Sequence, residues 1–159
     1  MRHGILSKMA VLVLGLAAAP GFARAASGFN VKSISGGYSL RMSGWDMATP
    51  TVPVSIIGNL SANRGALTGN VLINDGGVNC STTFSSGSSY LVNKDGTGTI
   101  TAILDSSGAS CSKGTLPVGV MVLNLTIVNN GYAMDLGAVS TSPAIMVLSG
   151  NATFQGKIK

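Results

Sequence analysis

The chain has 159 residues with 22 Gly, 9% charged residues and a formal net charge of +5. It holds one His and no Glu, and its ten Lys and Arg are scattered singly along the chain. The scatter excludes the basic stripe that nucleic-acid binding requires. With His3 near the N-terminus as the only imidazole, a mature chain lacking it excludes Ser-His-Asp and Cys-His chemistry, and the absence of Glu excludes a two-Glu acid–base pair.

The first predicted element is a secretory leader. Arg2 and Lys8 form a short positive segment, Met9 to Ala19 is an unbroken apolar and small-residue run, and Pro20-Gly21 breaks it. Ala23-Arg24-Ala25 then places small residues where a signal peptidase reads, so cleavage is expected after Ala25. The run of 11 residues falls well short of the ~20 a spanning helix needs, so no stable membrane insertion is expected. No Arg-Arg pair precedes the run and no Cys stands immediately after the cleavage point, which points to Sec-type export into a periplasm or the medium without a lipid anchor. Cleavage removes His3, Arg2, Lys8 and Arg24. The mature chain keeps Lys32, Arg41, Arg64, Lys94, Lys113, Lys157 and Lys159 against five Asp, a net charge of about +2. Residues 26–35 read as a flexible mature N-terminus and residues 36–159 as one domain, long enough to build its own core.

Beyond the leader the apolar pattern has period two, interrupted by Gly, Asn and Asp, and no helical period. Strands are predicted over Gly37 to Trp45, Val54 to Leu60, Leu67 to Asn74, Val78 to Phe84 and Ser88 to Asn93. Further strands are expected over Thr97 to Leu104, Val118 to Val128, Tyr132 to Val139 and Met146 to Ile158. Asp75-Gly76-Gly77, Lys94-Asp95-Gly96 and Asn129-Asn130-Gly131 are turn signals. At Asp95-Gly96 both residues are expected at positive φ. The Ser- and Gly-rich stretch Asp105 to Thr115 reads as a loop. Two cysteines in an exported chain read as one disulfide, Cys80–Cys111.

Eight or nine short antiparallel strands with one apolar face each predict an all-β, up-and-down barrel, since closure removes sheet edges. A two-sheet sandwich is the alternative. Gly58, Gly69, Gly98, Gly150 and Gly156 fall on the inward face, where they permit tight coiling.

Gly37-Tyr38-Ser39-Leu40, Gly65-Ala66-Leu67-Thr68-Gly69 and the run Asn93-Lys94-Asp95-Gly96-Thr97-Gly98-Thr99 carry a resemblance to uncharacterised exported bacterial β-proteins. The plan is similar to calycin-like and allene-oxide-cyclase-like barrels. The resemblance implies a barrel and carries no functional residue with it.

Several constellations bear on function. Tyr38, Met42, Met121, Tyr132, Met134, Leu136 and Phe154 are expected to face inward, where they suit a small apolar ligand or an ordinary filled core. The thioethers of Met42 and Met47, beside the Trp45 indole, could hold Cu(I), but without His the better reading is Met as core filler. Asn93, Asp95 and Thr97 have too few carboxylates for calcium and read as a turn. Neither a metal nor a cofactor is expected. Asp135 and Arg41 are expected on the outer face as an exposed ion pair. The expectations are therefore an exported barrel binding a small apolar molecule, a structural or surface-interaction barrel with a filled core, or a non-hydrolytic cyclase-type enzyme. Binding or structure is preferred to catalysis.

Overall fold

The computed structural model describes residues 28–157, so the predicted leader, its predicted cleavage point, and the end of the last predicted strand at Ile158 lie outside the described residues. Ten strands are present: β1 (Gly36–Asp46), β2 (Val52–Asn63), β3 (Ala66–Asp75), β4 (Val78–Thr83), β5 (Ser89–Val92), β6 (Thr97–Ile103), β7 (Ser110–Cys111), β8 (Val118–Val128), β9 (Ala133–Pro143) and β10 (Met146–Gly156). All pair antiparallel, and the pairing of β1 with both β2 and β10 continues around to β3, closing an eight-stranded barrel. The alternative of a sandwich is thereby set aside.

The excess over eight strands has a local cause. β4 and β5 are two halves of one stave: β4 pairs with the C-terminal half of β3, and Ser89 of β5 with its first residue. The interruption between them is bridged by Ser88, whose hydroxyl accepts from the Ile103 N–H at 2.9 Å and donates to the Ile103 carbonyl at 3.0 Å. This buried serine thus replaces a missing rung of the ladder. β7 is a two-residue strand on the outer edge of β4, joined to it by the Cys80–Cys111 disulfide.

Alternation along each stave sends one face inward. Leu40 and Met42 on β1, Ile56 and Leu60 on β2, Val71 and Ile73 on β3, Leu123 and Leu125 on β8, and Leu148 and Ala152 on β10 are all buried in one continuous core. The intervening residues are mostly Ser, Thr, Asn and Arg facing solvent. An apolar inside and a polar outside is the reverse of an outer-membrane barrel, whose lipid-facing band is apolar and whose lumen is polar.

Glycine turns the corners. A side-chain carbon at Gly44, Gly58, Gly69, Gly98 or Gly150 would overlap the main-chain carbonyl of Val147, Asn70, Asn59, Leu91 or Arg41, respectively, on the neighbouring strand. Strands approach this closely only where no Cβ intervenes, which lets the sheet coil into a narrow barrel. Arg64 and Gly65 carry positive φ in the β2–β3 hairpin, as do Gly76 and Gly77 in the β3–β4 hairpin, and each pair forms the two-residue mirror-image turn that matches strand twist. The β5–β6 hairpin differs from expectation. Only Gly96 has positive φ there, and the Gly96 N–H donates to the Asn93 carbonyl at 3.0 Å, the pattern of a type I turn followed by a left-handed glycine.

Residues 28–35 are not a loose lead-in. A 3₁₀ turn, η1 (Val31–Ile34), is capped by Asn30, whose side chain accepts from the Lys32 N–H at 2.9 Å. Ile34 is buried in the core, and Phe29 packs against Gly96. η1 meets a second 3₁₀ turn, η2 (Asn129–Gly131), where Gly131 sits against the Ser33 carbonyl. Together these turns close the barrel end that carries the β2–β3, β5–β6 and β8–β9 hairpins. Burial of Phe29 and Ile34 holds the segment down, each apolar side chain contributing on the order of 1.5–3 kcal/mol when fully buried.

Candidate functional site

The barrel interior was the first candidate. Tyr38, Met42, Met121, Met134 and Leu136 are brought together there, all buried, while Phe154 is only partly buried at the plugged end. Tyr132 does not join them and is 60% exposed. Its parity with Met134 predicts an inward ring, but Tyr132 caps η2 in the right-handed helical region (φ −76°, ψ −14°). That backbone rotation breaks the alternation one residue before β9 begins. The Tyr132 ring instead packs edge-on against Phe154, which also packs edge-on against Tyr38, with centroids 5.5 Å apart in both pairs.

The phenols inside the barrel have structural partners. The Tyr38 hydroxyl donates to the Gly131 carbonyl at 2.8 Å and the Tyr90 hydroxyl to the Val31 carbonyl at 2.9 Å. Each ties a stave to one of the two plug turns, so neither hydroxyl is free to orient a guest. Burial, followed by the proximity of Tyr90, pushes the Tyr38 phenol up to about 12. It remains a neutral donor throughout the ordinary pH range.

Other predicted groupings come apart. Met42 is core, but Trp45 and Met47 are 54% and 52% exposed, so the three side chains do not converge. The reading of Met as core filler holds for Met42 and fails for Met47. Arg41 and Asp135 do lie on the outer face, yet they are two strands apart with Asn151 between them in register, and no ion pair joins them among the described residues. Asp95 is an exposed turn residue: its carboxylate accepts from the Thr97 hydroxyl and N–H, and these bonds hold it below the usual carboxylate range.

One titratable pair escaped the sequence. Asp46 at the end of β1 is buried, and its carboxyl faces that of Asp75 at the end of β3. Asp46 accepts from the Ala48 N–H at 2.9 Å, while Asp75 Oδ1 is buried without a hydrogen-bond partner among the described residues. Burial first, then the Asp46 charge and a bond to its carboxyl, push the Asp75 carboxyl above the ordinary range. Two abutting carboxyls resemble an acid–base dyad in chemistry, but neither residue lines any of the four surface grooves described below. The inward parity of Asp46 with Met42 was the only signal in the sequence. Its partnership with Asp75 depends on the register of β1, β2 and β3.

The open concavities lie on the outside, over the glycine corners. Where a strand dips toward the barrel axis, its outer face becomes a dent. A groove of about 900 Å³ crosses β10, β1, β2, β3 and β4 over Gly58. Its walls are short polar side chains, among them Ser39, Asn59, Asn70, Asn151 and Thr153, with Arg41 as its one charged residue. A second dent of about 500 Å³ lies over Gly44, bounded by Ser43, Ser149 and Trp45. A third of about 440 Å³ lies over Gly98 on β5, β6 and β8, and a fourth of about 310 Å³ over Gly69 beside Tyr38. The sequence placed Gly58, Gly69 and Gly98 inward, though not Gly44, and did not announce the consequence for the outer surface. Among the described residues no three His, Cys, Asp or Glu side chains cluster as a metal site, and no helix is long and apolar enough to cross a membrane. The chain matches no protein-family model, and no curated protein is similar to it in sequence.

Proposed function

We propose that the protein is exported, loses its leader after Ala25, and serves outside the cytoplasm as a non-catalytic barrel that recognises its partner on its outer surface. The carrying observation is the contrast between the two faces. The interior is occupied by the protein's own apolar side chains, with Tyr38 and Tyr90 bound to main-chain carbonyls. The largest of the four grooves, about 900 Å³, is lined mainly by outward side chains of five strands. A disulfide supports the extracytoplasmic part of this reading, because such bonds persist in oxidising compartments. Recognition through the barrel cavity, the other binding mode expected from the sequence, has less support, since Tyr132 lies outside and the remaining phenols are engaged.

Native mass spectrometry of protein purified from its own host tests both parts. The expected mass is that of the chain beginning at Ala26, less two hydrogens for the disulfide, with no additional species. A co-purifying apolar compound of fixed mass would overturn the outer-surface reading. A retained Met1 would overturn export.

A further inference from the structure

The outer groove has a chemistry that narrows its ligand, on the reading that the outer face is the recognition surface. Along β1 the outward residues are Ser39, Arg41, Ser43 and Trp45, a row that runs from the large groove into the dent over Gly44. Three side-chain amides flank this row: Asn151 beside Arg41 on β10, Asn59 beside Ser39 on β2, and Asn70 next to Asn59 on β3. None of the three amides, nor the Arg41 guanidinium, makes a side-chain hydrogen bond among the described residues. Elsewhere on the surface such groups are engaged locally, as in the bond between Asn74 and Asn79 or that from Asn93 to Thr97. The groove therefore presents an array of uncommitted donors and acceptors, almost all neutral.

Between the amides lies an apolar platform. Ile57 and Leu72 are direct partners in the β2–β3 register and are 48% and 41% exposed. Trp45, the only Trp in the chain, stands 54% exposed four residues beyond Arg41, ~13 Å away along an extended strand. The face thus alternates neutral hydrogen-bonding groups with flat apolar surfaces. Single-stranded nucleic acid would call for several cations along this row, and Arg41 is alone. A lipid surface would call for a continuous apolar band, and the groove is interrupted by amides and hydroxyls. A chain of pyranose rings matches both features, with hydroxyls around each ring edge and C–H groups on each face, the latter suited to an indole.

We propose that the outer face of β10, β1, β2 and β3 binds an extended neutral glycan, with Trp45 stacking on one sugar ring, Ile57 and Leu72 supporting another, and Asn59, Asn70, Asn151 and Arg41 hydrogen-bonding its hydroxyls. The test is isothermal titration of the mature, disulfide-intact protein with cellohexaose, chitohexaose and maltoheptaose. Saturable binding of at least one oligosaccharide is expected. Trp45→Ala and the double variant Asn59→Ala/Asn70→Ala should each lower its affinity at least tenfold while leaving the thermal midpoint unchanged, since all three side chains are exposed. Amide shift changes in the titrated protein should map to β10, β1, β2 and β3. Failure of all three sugars to bind would overturn the proposal, as would affinity indifferent to both variants or shift changes confined to the barrel ends. Such a failure would leave the outer-surface reading standing, because that reading is decided separately by whether purified protein carries an apolar guest.

Discussion

Asp75 ends β3 with one carboxylate oxygen buried and unpartnered among the described residues, opposite the carboxyl of Asp46. Burial and the neighbouring negative charge raise its affinity for a proton above that of an ordinary carboxyl, whose value is 3.8. For an acid, a raised folded value means that the neutral form fits the fold better than the charged one. The stability from this site is complete below pH 3.8 and is lost as pH rises through the folded value. At neutral pH this site therefore favours the unfolded chain, in which the Asp75 carboxylate is fully solvated. Asp75→Asn supplies a neutral side chain of the same shape whose amide can donate to Asp46. The variant is expected to melt above the wild type at pH 7, with the difference shrinking as pH falls toward the ordinary carboxylate value. Thermal melts across that range check this, and a lower midpoint at pH 7 would contradict it. Tyr38 and Tyr132 make a second residue-scale comparison. Identical parity with their neighbours predicts both inside, yet one is buried and bonded to Gly131 while the other is exposed, because three successive left-handed residues, Asn129 to Gly131, reset the backbone before β9.

At the level of strands, two glycines in mid-strand differ in what a side chain would meet. Gly150 lies between inward Leu148 and Ala152, and a Cβ there would overlap the Arg41 carbonyl and come within 2.6 Å of Met42 Cα. Main chain cannot yield as a side chain can, so Gly150→Ala is expected to destabilise by ~3 kcal/mol or more, at or beyond the upper end of overpacking costs. Gly137 on β9 has open space around the same position and no positive φ, so Gly137→Ala should be neutral or stabilising by up to about 1 kcal/mol. Urea denaturation of the two variants measures the contrast, and equal effects would show that the close strand approach at Gly150 is not what fixes the corner. Strand positions were largely legible, because alternation over several residues is a local signal that burial of one face enforces. β4 and β5 read as two strands, but their alignment along β3 as one stave rests on backbone register and on a break that the Ser88 side chain bridges to β6, which no periodicity announces.

Across the whole molecule, stability rests on a closed sheet around one core, with a single covalent tie. The Cys80–Cys111 bond spans 31 residues and holds the long β6–β8 connection, through β7, against β4. Its main effect is on the unfolded chain, whose loop entropy it reduces. The double variant Cys80→Ala/Cys111→Ala is expected to lose ~3–4 kcal/mol in the chain-entropy model while keeping a native-like β-sheet spectrum. Chemical denaturation under non-reducing conditions tests this, and an unchanged midpoint would place the contribution elsewhere. Closure also makes the outer face a single curved surface, which is why residues from β10 to β4 can share one groove.

Residue patterning along the chain suffices for the all-β class, the inward and outward sets of most strands, the principal turns and the pairing of the two cysteines. These depend on local steric preference, period-two patterning and residue chemistry, all of which are written within a few residues of each other. The sequence also restricted the available chemistry, through the lack of Glu and the placement of the one histidine at His3. That residues 28–35 plug the barrel, that Asp46 faces Asp75, and that the phenols of Tyr38 and Tyr90 are engaged by main-chain carbonyls comes from tertiary packing. Tertiary packing alone set Asn59, Asn70, Asn151 and Arg41 around one groove. Each of these depends on the register between strands or on the approach of segments distant in the chain, and such relations are fixed when the barrel closes.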